Sequence, residues 1–440
     1  MVNNRFTGMT NTKTTFLPPR RLAVTGLGQE RVSFGFSVVY LFLLLLFNAY
    51  FEKKASVNAL FMIVALGYLI VFPSSKKKGT LSAAAIVLSI LQLYYQFFGY
   101  SSGSIYCCCL LLIVAYSMFS DCMESCFKEI FMLKAVLIVA AMHSVLCVFE
   151  AVTHSNPWLQ LLSIAAFHGD NPSEYRVTGL TAHPITAAVF AVSTVILASA
   201  FYWRFRKSRY LVIVVVSLLA AAATQTRSIY ITLPFALLCV LVARGIHIPK
   251  LDSIKASVVV ALAAIPLVLV LLLDSSFYTQ LSLRFSKLWD SGSYLQRAGS
   301  LRFLSNYIAD GSVSEKLLGH GYGSLAHYLS SENISFVSEG FYTVDNQYVT
   351  TIFDLGLLGF LVLTVIAVGK IATAVKSLRQ VSSQDGMASL LQPFLAIVLI
   401  IFLLAAIFFF ECYDKPIIIC TLALGFALCD SQSDCMGKSV

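Results

Sequence analysis

From Ala256 to Leu273 the chain runs without one charged side chain. A helix of that length, rising about 1.5 Å per residue, crosses a hydrocarbon core roughly 30 Å thick. The run Leu41 to Phe47 is equally apolar. Composition extends the point to the whole chain: 58% of its 440 residues are hydrophobic and 12% charged. A water-soluble domain carries about 25% charged residues, so too little polar surface is left here for a soluble fold with many buried helices. The fold class is therefore an all-α integral membrane protein.

The hydropathy pattern predicts about twelve spans: 32–50, 55–73, 80–98, 104–119, 130–152, 184–203, 209–224, 228–244, 257–274, 346–369, 389–410 and 414–429. The expected organisation is an N-terminal tail over 1–31, nine spans over 32–274 with a loop at 153–183, a large loop over 275–345, three spans over 346–430 and a C-terminal tail over 431–440. About thirty polar and basic residues precede the first apolar run, too many for the n-region of a cleavable signal. Lys and Arg set the orientation. With the N-terminus in the cytoplasm, the outer short loops hold only Lys53, Lys54, Arg176, Arg227 and Lys415 of the 31 basic residues. Both termini then face the cytoplasm and the large loop faces out. The Lys53-Lys54 pair is the one local violation. Within the loop, 280–289 and 296–309 read as partly helical, and Leu301, Leu304 and Ile308 are expected to share one face.

Several functions are excluded. The inner loops are short and carry neither a phosphate-binding lysine loop nor GxGxxG, so no ATP motor is built in. The net charge of +9 follows the membrane-side bias, so it does not point to nucleic acid. The eleven cysteines form no CxxC pair, and the large loop has none. With no DxD on the outer side, no metal and no cofactor is expected.

The outer polar residues are few and patterned. Arg176 precedes Gly179 and His183-Pro184 at the mouth of a span, Arg227 sits in Thr224-Gln-Thr-Arg-Ser228, and Arg297 and Arg302 lie in the large loop. Arginine matches a diphosphate because its planar fork gives two parallel charge-assisted hydrogen bonds. Any one of them alone also reads as an interface anchor. Asp345 is the candidate base, while Asp345-Asn346 equally reads as a cap on the following helix, and the two roles are compatible. His320, in Gly319-His-Gly-Tyr-Gly323, reads as a turn residue. His143 and Glu150 mark either a proton path or, for Glu150, a vestibule wall or an arginine partner.

In these residues the sequence resembles the O-antigen ligase and polymerase superfamily. Asn346 is followed by nine residues, Gly356, Leu-Leu and Gly359, the spacing of the ligase motif, with Asp345 where ligases carry His. Val344-Asp-Asn-Gln-Tyr348 resembles the polymerase and exopolysaccharide branches. Arg176-Val-Thr-Gly-Leu-Thr-Ala-His-Pro184 resembles the Arg…Gly…His-Pro element, Thr226-Arg227-Ser228 partly matches Ser-Arg, and Arg302 with Leu318 to Gly323 resembles the loop signature. The resemblance covers roughly 170 to 370.

The resemblance implies a GT-C-like bacterial inner-membrane glycosyltransferase with its site facing the periplasm. It implies undecaprenyl-pyrophosphate-linked glycans as partners within the bilayer, and a chain-length regulator protein as a further one. Asp345 is then the base. Arg176, Arg227, Arg297, Arg302, His183, His320, Asn346 and Tyr348 are then substrate-binding. Polymerisation of repeat units is favoured by the aspartate. Ligation to a lipid A core, or transport of a lipid-linked oligosaccharide, are the alternatives.

Overall fold

The structure, a computed structural model, describes residues 21–53, 108–123, 125–166, 175–243, 292–321, 323–336, 344–380, 387–412 and 415–430, with Tyr342 and several positions between 61 and 71. All regular structure among them is helical. The first helices are α1 (Arg21–Leu46), α2 (Asn48–Lys53), α3 (Cys108–Cys122) and α4 (Cys126–Thr153). They are followed by α5 (Pro157–Leu161), α6 (Pro184–Phe205), α7 (Ser208–Ala223) and α8 (Ser228–Ala243). The loop holds α9 (Gly292–Asp310), α10 (Val313–Leu318) and α11 (Ser324–Ser331). The chain ends in α12 (Gln347–Gln380), α13 (Met387–Ala406), the 3₁₀ turn η1 (Ile407–Phe409) and α14 (Pro416–Asp430).

Among the described residues, four helical stretches are long and apolar enough to cross a membrane: Phe127–Thr153, Pro184–Phe205, Gln347–Leu378 and Gln392–Phe409. Shorter apolar helices run beside them at Arg31–Leu46, Leu111–Cys122, Ser208–Ala223 and Pro416–Asp430. The expected spans at 80–98 and 257–274, and most of 55–73, lie outside the described residues, as does the expected helix at 280–289. The first helix begins at Arg21, so the last third of the expected N-terminal tail is helical.

Helix α6 is the axis of the packing. It is buried from Pro184 to Phe201 with few breaks and touches α4, α7 and α13. Ala187, Ala188 and Ala191 on α6 and Ala220 and Ala221 on α7 are all buried. Small side chains let two backbones approach, and dispersion then holds the pair where water supplies no hydrophobic drive. The face of α4 turned away from this core is an apolar stripe of Phe127, Phe131, Ile138, Met142, Val145, Phe149 and Val152, all exposed. Spacings of three, four and seven place them on one side of a helix. An exposed stripe of that length fits a lipid-facing surface.

The loop helices form their own small core. Leu325, Leu329, Val344, Val349 and Phe353 are buried together, with Phe303, Leu304, Tyr307, Ile334, Phe336 and Tyr342 packed around them. On α9, Leu301 and Ile308 are exposed, and the inward side runs through Gln296, Ser300, Phe303 and Tyr307. A helix with two apolar stripes buries the aromatic one, because rings hide more surface than leucine or isoleucine.

Helix α12 is broken at Gly356, where φ is 68° and ψ 178°. Its first nine residues belong to the loop core through Val349 and Phe353. Its exposed apolar side chains begin at Leu357 and continue through Leu358, Leu361, Val362 and Val365. The lipid-facing part of the expected 346–369 span thus starts about three turns late. A Cβ at Gly356 would lie 2.2 Å from the Leu317 carbonyl oxygen, and one at Gly319 2.5 Å from that of Asp354. The two glycines press the loop onto the break, where the His320 and Gly321 amides donate to the Phe353 and Asp354 carbonyls at 3.0 and 2.7 Å.

Candidate functional site

Helices α4, α6, α7, α8, α12, α13 and α14 begin or end near the polar residues singled out above. Arg176 is held against the turn between α7 and α8: its Nε donates to the Thr224 carbonyl at 3.0 Å and an Nη to Thr226 Oγ1 at 3.1 Å. Arg227 is the next residue of that turn, so two arginines distant in sequence share one hairpin. Thr226 Oγ1 also reaches the Pro184 carbonyl at 3.5 Å, joining the hairpin to the start of α6.

His183 caps α6. Its Nδ1 accepts from the Ile185 amide at 3.2 Å, so a neutral ring carries its proton on Nε2. Burial first, then Lys415, Arg176 and Lys53 around it, pushes its pKa down to about 3. Backbone bonds place those lysines. The Ala49 amide donates to the Leu180 carbonyl, and the Ile417 amide donates to Asn48 Oδ1 at 2.8 Å. These draw α2, with Lys53 at its end, and Lys415 before α14, onto the segment leading to His183. Sequence reasoning counted both lysines on the outer side and marked only Lys53, with Lys54, as a local violation of the charge bias. That exception was the signal, since cations on the wrong side of a membrane need a local reason.

Asp345 and Asn346 divide the roles that the sequence left open. Asn346 Oδ1 accepts from the Tyr348 and Val349 amides at 3.0 and 3.4 Å, so Asn346 is the cap. Asp345, half-buried, lies 3.9 Å from an Nη of Arg297. That nitrogen also donates to the Phe409 carbonyl at 3.0 Å, and the guanidinium lies over the Phe409 ring. Burial lowers the Arg297 pKa, with Asp345 opposing the shift. Arg297 Nε and Asn346 Nδ2 are buried donors without a hydrogen-bond partner among the described residues. Arg302 is on the exposed side of α9, about 140° round from Arg297 at 100° per residue. The loop arginine beside Asp345 is therefore Arg297, not Arg302.

The turn that faces Asp345 is pinned from α12. Gln347 Oε1 accepts from the Cys412 amide at 2.6 Å, and Thr350 Oγ1 donates to Glu411 at 2.6 Å. Tyr348 reaches inward instead, its hydroxyl donating to the Leu404 carbonyl at 2.5 Å. It lines an apolar groove of about 460 Å³ between α8, α12 and α13, with Ile231, Phe235, Ile401, Leu404 and Phe409. Phe409 lines the groove and also carries Arg297, which lies beside Asp345.

His320 stands apart. It stacks on Phe353 at 4.6 Å, also touches Tyr307, and burial lowers its pKa. It is part of the loop core, in keeping with a turn residue. Asp354, which sequence reasoning missed, does the stapling: it accepts from the Gly323 and Leu325 amides and from Ser324 Oγ. A lone carboxylate in an apolar helix was the available signal. His143 and Glu150 likewise bind the 175–187 segment, and Glu150 also takes a bond from Asn156. His143 Nδ1 accepts from the Leu180 amide, and its Nε2 meets the Ala187 carbonyl at 3.1 Å.

Comparison with known families bears on this region. Residues 212–364 match the family model Wzy_C, described as O-antigen ligase. The stretch runs from α7 past the break in α12 and contains Arg227, Arg297, Asp345, Asn346, Gly356 and Gly359. No curated protein matches the chain. Members of the matched family are glycosyltransferase-like enzymes of glycan biosynthesis. The chain is thus similar to the O-antigen ligase family over residues 212–364, about a third of its length.

Proposed function

We propose that the chain is a membrane glycosyltransferase that joins undecaprenyl-pyrophosphate-linked repeat units at the outer face of the bacterial inner membrane. The observation that carries the reading is the groove between α8, α12 and α13, which is apolar along its walls and whose Phe409 packs against Arg297 beside Asp345. A donor with a long apolar chain and a diphosphate head has that polarity, in that order. Ile231 and Phe235, on the α8 wall, are exposed, which suits entry from the bilayer. In this reading the outer loop is the large 275–345 segment, and both termini are cytoplasmic.

The chemistry is an inverting displacement. The Asp345 carboxylate takes the proton of an acceptor hydroxyl, whose oxygen attacks the anomeric carbon of the donor. The bond from that carbon to the pyrophosphate oxygen breaks, and its electron pair leaves with the lipid pyrophosphate. Arg176, Arg227 and Arg297 stabilise that charge as it develops. His183, neutral at working pH, is a donor through Nε2. Arg297 Nε and Asn346 Nδ2 offer two buried donors to ligand oxygens. Neither water, ATP nor a metal is consumed or required.

Asp345→Ala is expected to abolish polymer while lipid-linked single units accumulate outside, seen by electrophoresis of lipid-linked saccharides. Normal polymer in that variant removes Asp345 from the mechanism. The matched family's description as ligase favours a second reading, transfer of finished glycan to a lipid A core. Deletion separates the possibilities. Lipid A capped with a single unit means polymerase, free lipid-linked polymer means ligase, and units trapped inside mean a transporter.

A further inference from the structure

Glu150 is fully buried near the end of α4, and loop residues donate to it. The Tyr175 hydroxyl, the Thr178 amide and Thr178 Oγ1 each donate to Oε1 at 3.1 Å. The Gly179 amide and Asn156 Nδ2 each donate to Oε2 at 2.8 Å. Only a carboxylate, which accepts at both oxygens and donates at neither, satisfies such a set. A glutamine would aim its own N–H groups at some of these donors. The donors bracket Arg176, with Tyr175 on one side and Thr178 and Gly179 on the other. Gly179 completes the seat: φ is +58° there, and a Cβ would come within 2.6 Å of Cys147 Sγ and the His143 ring.

We propose that Glu150 is the positioning residue of Arg176. It holds the Tyr175 side chain on one side of Arg176 and the Thr178–Gly179 backbone on the other, so that the guanidinium meets Thr224 and Thr226 at the turn that carries Arg227. The inference rests on the reading of Arg176 as a pyrophosphate-binding arginine. A purely structural carboxylate would stabilise the bundle without acting through one side chain, and a double-mutant cycle tells the two apart.

The test uses the purified full chain in lipid nanodiscs with lipid-linked repeat units, measuring initial rates and thermal unfolding for E150Q, R176K and the double variant. Each single variant is expected to lose about tenfold or more in kcat/KM, and the double variant to stay within about twofold of R176K. Losses that multiply, or a wild-type rate in E150Q, overturn the inference. Should E150Q not fold, Tyr175→Phe carries the test, because it removes one donor and little volume. A fall of about threefold in the wild-type background and none in R176K is expected; equal falls in both backgrounds overturn it. Polymer formation by Asp345→Ala sinks the functional reading itself. An inactive Asp345→Ala with multiplying Glu150 losses sinks only the role of Glu150.

Discussion

Asn346 shows how one side chain can carry two separable jobs. Its Oδ1 caps α12 through two amides, while its Nδ2 is a buried donor without a partner among the described residues. Asn346→Asp keeps the cap, since aspartate and asparagine are similar N-caps, and removes the donor. Little change in thermal midpoint and at least about a tenfold loss of kcat are expected, on the scale of one lost transition-state donor. Full activity in that variant means the amide serves the helix alone. Adjacent residues with different tasks are hard to tell apart from spacing, because a helix start and a catalytic edge place polar groups alike. Asp345-Asn346 was legible as a pair, and only the fold assigned the cap to one and the arginine neighbour to the other.

The element scale explains why the motif residues are spaced as they are. Asn346 starts α12, Gly356 breaks it, and Gly359 lies where a Cβ would come 2.4 Å from that of Leu355. Asp354 and the paired glycines then clamp the loop to the break. Helix α6 offers a measurable consequence of its cap. His183 has a folded pKa of about 3, below its ordinary value of 6.5. As pH falls through about 6.5 the unfolded chain takes up a proton that the folded chain refuses, so stability present above 6.5 is lost below it. Between pH 6.5 and 5 that amounts to about 2 kcal/mol. The thermal midpoint is expected to drop across this range, and His183→Asn, which retains a capping side chain, is expected to flatten the dependence. An equal slope in both proteins would assign the titration elsewhere.

On the scale of the whole molecule, the polar chemistry sits at one end of an apolar bundle. A second polar set lies toward the opposite ends of the same helices: Lys370 pairs with Asp430, and Tyr116 donates to the same carboxylate, linking α3, α12 and α14. Joined to the Lys/Arg bias, this polarity makes the orientation testable. A phosphatase fused after Ser312, between α9 and α10, is expected to be active outside the cytoplasm. Activity of a cytoplasmic reporter at that position would invert the topology and move the proposed site to the wrong side for an outer-face reaction.

Sequence by itself determined the class of fold, because a chain this apolar has only membrane helices open to it. It also determined the approximate ends of α4, α6, α7, α8, α13 and α14, because hydropathy is a local property. It marked Arg176, Arg227, Arg297 and Asp345 as out of place in such a chain. Tertiary structure alone decided which of them meet. Arg176 joins the turn at Thr224 through a carboxylate 26 residues upstream, Arg297 and not Arg302 faces Asp345, and Lys53 and Lys415 close on His183. The physical reason is range. A span is written in consecutive residues, whereas hydrogen bonds and charges act over a few ångströms between segments that the chain separates by tens or hundreds of residues. The apolar groove is the extreme case, since its walls come from three helices and none of them alone encodes a cavity.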